Sequence, residues 1–174
     1  MIQDVTMEAL EKRMYFFTIY QLTGIQKGIQ CGHCVEQYAS NYHDDPVYAD
    51  FVKNWRTWIV LNGGTTNSNL KTLGSLNNIL IELRENEIKH AYFHEPDLNN
   101  ALTAVCVLLD ERVFNFKKFP DWKEGSILEN NLGMFALVSM GTNYDGQTYG
   151  EWLEYMGGSD NLILRELIRD KNLA

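Results

Sequence analysis

The segment YFFTIYQLTGIQKGIQCGHCVEQYASNY, residues 15–42, decides the fold because it joins a strand directly to a helix. Residues 15–22 are dense in aromatic and β-branched side chains, which predicts a strand ending before Thr23. From residue 29 to residue 42 the apolar side chains recur at helical spacing, which predicts an amphipathic helix. A strand followed by a helix is the first half of an α/β crossover unit.

The alternation of strands and helices continues along the chain. Strands are predicted at residues 55–62, 90–93 and 103–109, and a helix capped by Ser75 lies between the first two of these. Because no helix separates the last two strands, we expect them to form an antiparallel pair. The pattern as a whole predicts an α/β fold, with three α/β/α layers around a four-stranded mixed sheet.

The two ends of the chain carry helical patterns of their own. Residues 1–15 predict a short helix with Met7, Leu10 and Met14 on one side. After the turn-rich stretch that ends at Pro120, three more helices are predicted, at residues 128–140, 148–156 and 161–170. We therefore expect an α/β domain with an N-terminal helix over residues 1–115, and a C-terminal helical extension packed on the same core over residues 116–174.

Composition narrows the class of protein. The 174 residues are 45% hydrophobic, which supports a packed core and argues against disorder. With 15 basic and 23 acidic residues the formal charge is -8, so nucleic acid must be held by a local basic patch and not by bulk charge.

Three cysteines indicate a reducing compartment. The longest apolar run, residues 101–109, is too short to cross a bilayer. We expect a cytoplasmic protein without membrane contact.

The motif Cys31-Gly32-His33-Cys34 is open to a redox and to a structural interpretation. A dithiol at a helix start, as in thioredoxin-like proteins, would make the chain a disulfide oxidoreductase. Both cysteines also lie on the apolar stripe of the predicted helix, where free cysteine acts as a small hydrophobic residue. We favour the structural interpretation, and we expect no metal site because a second ligand pair at zinc spacing is missing.

The opposite face of the same helix is polar. At a hundred degrees per residue, Gln30, His33 and Gln37 cluster on one side, beside a glycine-rich loop that carries Lys27. This face is either a ligand-binding surface or an ordinary solvated helix face.

The stretch GIQKGIQCGHCVEQYA, residues 24–39, resembles the signature of the second type of peptidyl-tRNA hydrolase, the archaeal and eukaryotic kind. The match covers Gln30, Cys31 and His33, with Cys34 in the place of a small alanine. Gln26 stands where the family has its lysine, and Lys27 follows one place later.

Two later segments extend the resemblance over residues 15–109. WRTWIVLN and SLNNILIELREN follow in the family's order of strand and helix. The segment AYFHEPDLNNALTAVCVLL resembles its penultimate strand, its acidic loop and its threonine-bearing last strand. The acidic position falls first on Glu95 and second on Asp97.

The resemblance implies hydrolysis of the ester that joins a peptide to the terminal ribose of tRNA, in a homodimer that needs no cofactor or metal. His33 would activate water, with Glu95 or Asp97 holding its tautomer, and Lys27 would stabilise the oxyanion or a phosphate. Neutral hydrogen bonds to substrate would come from a set of polar side chains: Gln26, Gln30, Asn99 and Thr103.

Whether the chain is an enzyme stays open at this point. The second hypothesis is a catalytically inactive relative of this hydrolase family, encoded for example by a phage. Such a protein would bind a nucleotide, an RNA end or a nucleotide-derived signal in the same cleft. The oxidoreductase that uses Cys31 and Cys34 is the third hypothesis. Side chains available to hold RNA are few: Lys27, Lys53, Arg56, Lys117, Lys118 and Lys123.

Overall fold

A computed structural model describes residues 9–125, 128–129, 135–136, 141–143 and 145–174. The chain divides into two compact units. The first comprises residues up to Glu111 together with Glu166–Ala174, and the second is Arg112–Arg165. The predicted packing of a C-terminal extension on the core of the first domain stays a prediction.

Strands and helices alternate through the first unit. In chain order its elements are β1 (Lys12–Ile19), α1 (Gly24–Tyr42), α2 (Pro46–Asp50), a π-helix (Phe51–Trp55), β2 (Thr57–Gly64), α3 (Ser75–Glu85), β3 (His90–Glu95), a 3₁₀ turn (Pro96–Leu98) and β4 (Ala101–Asp110). The chain continues through α4 (Glu111–Phe114), β5 (Leu128–Glu129), β6 (Phe135–Ala136), α5 (Tyr149–Tyr155) and α6 (Ser159–Arg169).

The main sheet has four strands in the order β2-β1-β4-β3. β1 and β2 are parallel, whereas β4 runs antiparallel to both β1 and β3. This arrangement confirms the predicted α/β fold with a four-stranded mixed sheet, and it confirms the antiparallel pairing of the last two strands. β3 is the edge strand beside β4, and the first half of α1 contacts both of them: Gln30 bonds Glu95 at the end of β3 and Thr103 near the start of β4.

Helices cover both faces of this sheet because the strands alternate their side chains. Met14 and Phe16 of β1 are fully buried on the α1 side, in one cluster with Cys31, Cys34, Tyr38, Ala91, Ala104 and Cys106. On the other face, Gly63 lies so close to Leu76 of α3 and to Phe17 that a Cβ atom there would clash.

Two segments differ from the predicted helices. Met14, expected in an N-terminal helix, lies in β1, because the backbone of residues 12–18 pairs with β4 and that of residues 13–19 with β2. Residues 1–8 of that predicted helix lie outside the described residues. Of the helix predicted over residues 128–140, the described residues form the antiparallel pair β5 and β6, and the others lie outside the described residues.

The two later helices of the prediction are present. Thr148 caps α5 in a capping box with Glu151, and α6 begins at Ser159, two residues before the predicted start. Residues 172–174 pair with the free side of β2: Asn62 N–H donates to the carbonyl of Asn172, and Ala174 N–H donates to that of Val60, both at 2.9 Å. Among the described residues no helix combines the length and apolarity that a bilayer span requires.

Asp50 gives the first unit a pH-dependent contribution to stability. Lys12 donates to its carboxylate at 2.6 Å, and Asn54 and Trp55 donate as well, which lowers the pKa of Asp50 to about 2. A lowered pKa stabilises the folded state above the ordinary carboxyl pKa, and this gain is lost as the pH falls toward 2.

We therefore expect Asp50→Asn to be less stable than the wild type at pH 6, with the difference disappearing near pH 2. Urea unfolding of the two proteins at pH 2, 4 and 6 measures this. A difference that stays constant over this range would mean that the ionised carboxylate contributes nothing.

Candidate functional site

The first turn of α1 begins at Gly24, five residues before the start of the predicted helix. Thr23 caps it: its side chain accepts from Gln26 N–H, and its own N–H donates to Gln26 Oε1 at 2.9 Å. The side chain of Gln26 therefore serves in a capping box. The glycine-rich segment that was expected to be a loop is helical.

Lys27 consequently has a fixed place on the helix. It is half-buried, and it lies one turn before Cys31 on the stripe that also carries Cys34, which is the stripe facing the sheet. Gln30, three residues later, is its neighbour along the helix surface. Lys27 therefore projects from a helical backbone and not from the loop that the sequence predicts.

A β-bulge turns Thr103 toward α1. In the pairing of β3 with β4, Phe93 faces Ala104 and the next residue, His94, faces Leu102, so Thr103 has no partner across the ladder. Thr103 is fully buried, and its hydroxyl lies 2.6 Å from Gln30 Oε1 and 3.3 Å from the carbonyl of Phe93. The bulge thus places a hydroxyl donor beneath the first half of the helix.

Gln30 joins this hydroxyl to a carboxylate at the end of β3. Its Oε1 accepts from Thr103, and its Nε2 donates to Glu95 Oε2 at 2.7 Å. Gln30 itself is only 5% exposed; its hydrogen bond with Thr103 is buried, and the one with Glu95 is partly buried. We call the chain Thr103–Gln30–Glu95 the Gln30 bridge. It ties α1 to β3 and β4 and fixes the position of the Glu95 carboxylate.

His33 lies one helical turn beyond Gln30 on the same side of α1. Its ring stacks on Phe93, with centroids 4.2 Å apart and an interplanar angle of 19°. Its side chain is 41% exposed, and Nδ1 lies 3.9 Å from Glu36. Phe93 and Glu95 alternate on β3 with one residue between them, so the imidazole and the carboxylate lie on the same side of the sheet.

The predicted pairing of His33 with an acidic side chain from the loop is not formed. Among the described residues, the hydrogen-bond donors to Glu95 are Gln30 and, at 3.4 Å, the N–H of Asp97. Asp97 and Asn99 are exposed, Asp97 in the 3₁₀ turn and Asn99 just after it in a left-handed conformation with φ 54°. The structure therefore groups Gln30, His33, Glu95 and Thr103, with Lys27 one turn away.

This group has the parts of a polar binding site on a rigid support. The carboxylate of Glu95 keeps lone pairs that Gln30 does not use, and the half-exposed ring of His33 offers nitrogen atoms that can form hydrogen bonds to a ligand. The Phe93 ring beneath it restricts the imidazole orientation. A ligand hydroxyl or a water held between the carboxylate and the imidazole would meet an acceptor and a base.

Sequence reasoning found the members of the Gln30 bridge but not how they are joined. Phe93 was missed altogether, since an aromatic residue in a strand is read as part of the core. Phe93 lies two residues before Glu95 on the same strand, and alternate residues of a strand share a face. This spacing could have indicated that Phe93 lies beside the site. The capping box was also readable, as Thr23 and Gln26 have the required spacing.

The cysteines are placed where thiol chemistry is suppressed. Cys31, Cys34 and Cys106 are free and fully buried. Burial raises the pKa of Cys31 to about 12, and the contact with Cys106 together with burial raises the pKa of Cys34 as well. This environment is the reverse of the one that the oxidoreductase hypothesis needs.

We expect the folded protein at pH 8 to react with a disulfide reagent such as DTNB at least about a hundred times more slowly than the urea-unfolded chain. In the unfolded chain all three thiols should be titrated. Rapid modification of two thiols in the folded state would restore the redox hypothesis.

Removing the central amide tests the Gln30 bridge itself. Gln30→Ala leaves the Thr103 hydroxyl and the Glu95 carboxylate without a shared partner, which should lower the free energy of unfolding by about 1–3 kcal/mol. Gln37→Ala is the matched control, because Gln37 is an exposed residue of the same helix whose side chain donates to Asn41 on the next turn. Urea unfolding compares the two variants, and equal small losses would show that the bridge contributes nothing.

No protein-family model and no curated protein matches this chain in sequence. Within the described residues no group of three or more histidine, cysteine, aspartate or glutamate side chains is arranged to hold a metal ion. The functional interpretation therefore depends on the Gln30 bridge, His33 and their surroundings.

Proposed function

We propose that the chain is a hydrolase of the peptidyl-tRNA type, which cleaves the ester between an acyl or peptidyl group and the terminal ribose of tRNA. The observation that carries the proposal is the Gln30 bridge beside the stacked imidazole of His33. It supports the proposal because an immobile carboxylate and an accessible base lie together on one side of the sheet.

In this proposal His33 acts as the general base. A nitrogen of its ring removes a proton from water, the water oxygen bonds to the ester carbonyl carbon, and the C–O bond to the ribose then breaks. The proton returns to the departing 3′-oxygen, which leaves as a hydroxyl. The stack on Phe93 supports this role because it holds the ring plane while 41% of the side chain stays exposed to solvent.

Glu95 and Lys27 act on the substrate in different ways. Glu95, fixed by Gln30, accepts a hydrogen bond from the attacking water or a ribose hydroxyl. Lys27, on the neighbouring turn, supplies a positive charge for the carbonyl oxygen as it becomes an oxyanion, or for the terminal phosphate. The exposed residues Asp97 and Asn99 contact the nucleotide in this proposal. We further propose that the protein acts as a homodimer in the cytoplasm.

The decisive assay follows release of labelled N-acetyl-phenylalanine from N-acetyl-phenylalanyl-tRNA under single-turnover conditions. We expect the wild type to release it well above the rate of spontaneous hydrolysis, and Glu95→Gln to be slower, with a melting curve to show that the variant is folded at the assay temperature. The carboxyl-to-amide change keeps size and shape, so a slower rate reports the lost charge. A wild-type rate equal to the spontaneous one would refute the proposal.

One observation favours a second candidate, binding of a nucleotide or RNA end without hydrolysis. Glu95 is held by Gln30 and does not orient His33, and the helix directs Lys27 along the stripe that faces the sheet. Such a protein would bind nucleotides and leave the ester intact. A thermal-shift panel of nucleoside monophosphates and a CCA trinucleotide, run beside the hydrolysis assay, separates the two functions.

A further inference from the structure

β3 carries a second row of side chains, on the face of the sheet opposite the Gln30 bridge. Phe93 and Glu95 face α1, where they contact His33 and Gln30. The residues that alternate with them, His90, Tyr92 and His94, therefore face the side of α3. The neighbouring rings of this row lie 6.1 Å and 5.5 Å apart between centroids. All three are partly exposed, because β3 is an edge strand of the sheet.

The two imidazoles of the row are held by backbone carbonyls. His90 Nδ1 lies 2.6 Å from the carbonyl oxygen of Ile88, and His94 Nδ1 lies 2.9 Å from that of Asn100. Because a carbonyl oxygen can only accept, Nδ1 is the donor in both rings. Each ring is thereby oriented, and its Nε2 is left for another partner.

α3 adds a guanidinium to the row. The Cζ atom of Arg84 lies 4.7 Å from the centroid of the Tyr92 ring, and the arginine side chain is exposed. Among the described residues no carboxylate forms an ion pair with Arg84, including that of Glu87 in the turn that follows α3. One face of the guanidinium packs on Tyr92, so its other face and its N–H groups are available to a ligand. We call Arg84, His90, Tyr92 and His94 the β3 platform.

The acidic residues nearest in sequence are directed elsewhere. Glu82 lines a groove on another side of α3, together with Glu166 and Lys171. Glu85 follows Arg84 directly and so lies a hundred degrees further around the helix. Glu95 accepts from Gln30 on the opposite face of the sheet. The platform therefore combines aromatic rings with an unpaired positive charge, which is the combination that binds single-stranded nucleic acid.

We propose that the β3 platform binds unpaired nucleotides of an RNA strand. Bases stack on the guanidinium of Arg84 and on the ring of His94, and the guanidinium also donates to a phosphate. The choice of RNA rests on the proposed function, because His94 and Glu95 are consecutive residues at the end of β3. An RNA strand whose terminal ribose lies at Glu95 passes the sheet edge to reach His94.

Fluorescence anisotropy with the full chain and a labelled RNA tests the proposal. The RNA is single-stranded, about ten nucleotides long, ends in CCA and carries no amino acid. We expect the wild type to bind it with a Kd below about 1 mM. A duplex of the same sequence should bind at least about tenfold more weakly, because its bases are already paired and stacked.

Three variants locate the binding. Arg84→Gln and His94→Ala should each weaken it about fivefold or more, since each removes a surface on which a base stacks. Lys71→Gln is the matched control, because it also removes one positive charge from an exposed side chain of the first unit. It should bind as the wild type does. Melting curves show whether each variant is folded at the assay temperature.

The proposal is overturned if the wild type binds the single strand with a Kd above about 1 mM, or if the duplex binds equally well. It is also overturned if Arg84→Gln and His94→Ala bind as Lys71→Gln does. Because this RNA carries no ester, the result is separate from the hydrolysis assay. Binding at the platform with the ester left intact would refute the hydrolase alone, and hydrolysis without any loss of binding in the variants would refute the platform alone.

Discussion

His33→Ala should reduce the single-turnover rate of N-acetyl-phenylalanyl-tRNA hydrolysis by about a hundredfold or more, because a positioned base contributes 10² to 10⁴ to such a rate. The ring is 41% exposed and is not part of the Gln30 bridge, so the fold should tolerate its removal. The melting temperature is measured beside the rate to show that the lost activity does not reflect unfolding.

His43→Ala is the control for this substitution. His43 caps the other end of α1, and its side chain is 70% exposed. We expect this variant to keep the wild-type rate, because the imidazole that it removes lies at the C-terminal end of α1, whereas Gln30 and His33 lie in its first half. If both variants hydrolyse the ester at the wild-type rate, His33 is not the base.

Phe16→Ala should lower the free energy of unfolding by about 3–5 kcal/mol, the largest stability change that we predict. Phe16 is fully buried at the centre of β1, between β2 and β4, and its ring is tilted by 53° against that of Trp58, with centroids 5.0 Å apart. Truncation removes the apolar area and leaves a cavity in a packed layer, which a rigid sheet closes poorly.

Tyr20→Ala provides the comparison, because Tyr20 follows the same strand and is 52% exposed. Its change in unfolding free energy should stay within about 0.5 kcal/mol. Urea unfolding followed by far-ultraviolet circular dichroism measures both variants. Similar losses for Phe16 and Tyr20 would mean that the core on the α1 side of the sheet is not where we place it.

The fold was predictable because its elements carry strong patterns. Aromatic and β-branched residues are dense in β1, which indicates a strand. Leu76, Ile79, Leu80 and Leu83 recur at helical spacing in α3, and all four side chains are buried. The start of α1 was harder, since Gly24 and Gly28 have low helix propensity. At this end of α1 the capping box of Thr23 and Gln26 offsets the low helix propensity of the glycines, and the packing of the later turns stabilises the rest of the helix.

The site was predictable as a set of residues but not as a geometry. Gln30, His33, Glu95 and Thr103 could be chosen from the chain, yet their contacts depend on the bulge in β4. A bulge arises from the register between two strands, which no local pattern around Thr103 encodes. The sequence suggested that Glu95 would bond His33. In the structure Glu95 instead accepts a hydrogen bond from Gln30.

The most direct test of the central claim is to ask where the substrate end binds. A CCA trinucleotide carrying a non-hydrolysable 3′-amide of N-acetyl-phenylalanine can be titrated into ¹⁵N-labelled protein and followed by NMR. We predict that the side-chain amide signals of Gln30 and the ring nitrogen signals of His33 shift on binding. Shifts that leave Gln30 and His33 unaffected and fall elsewhere in the chain would contradict the account.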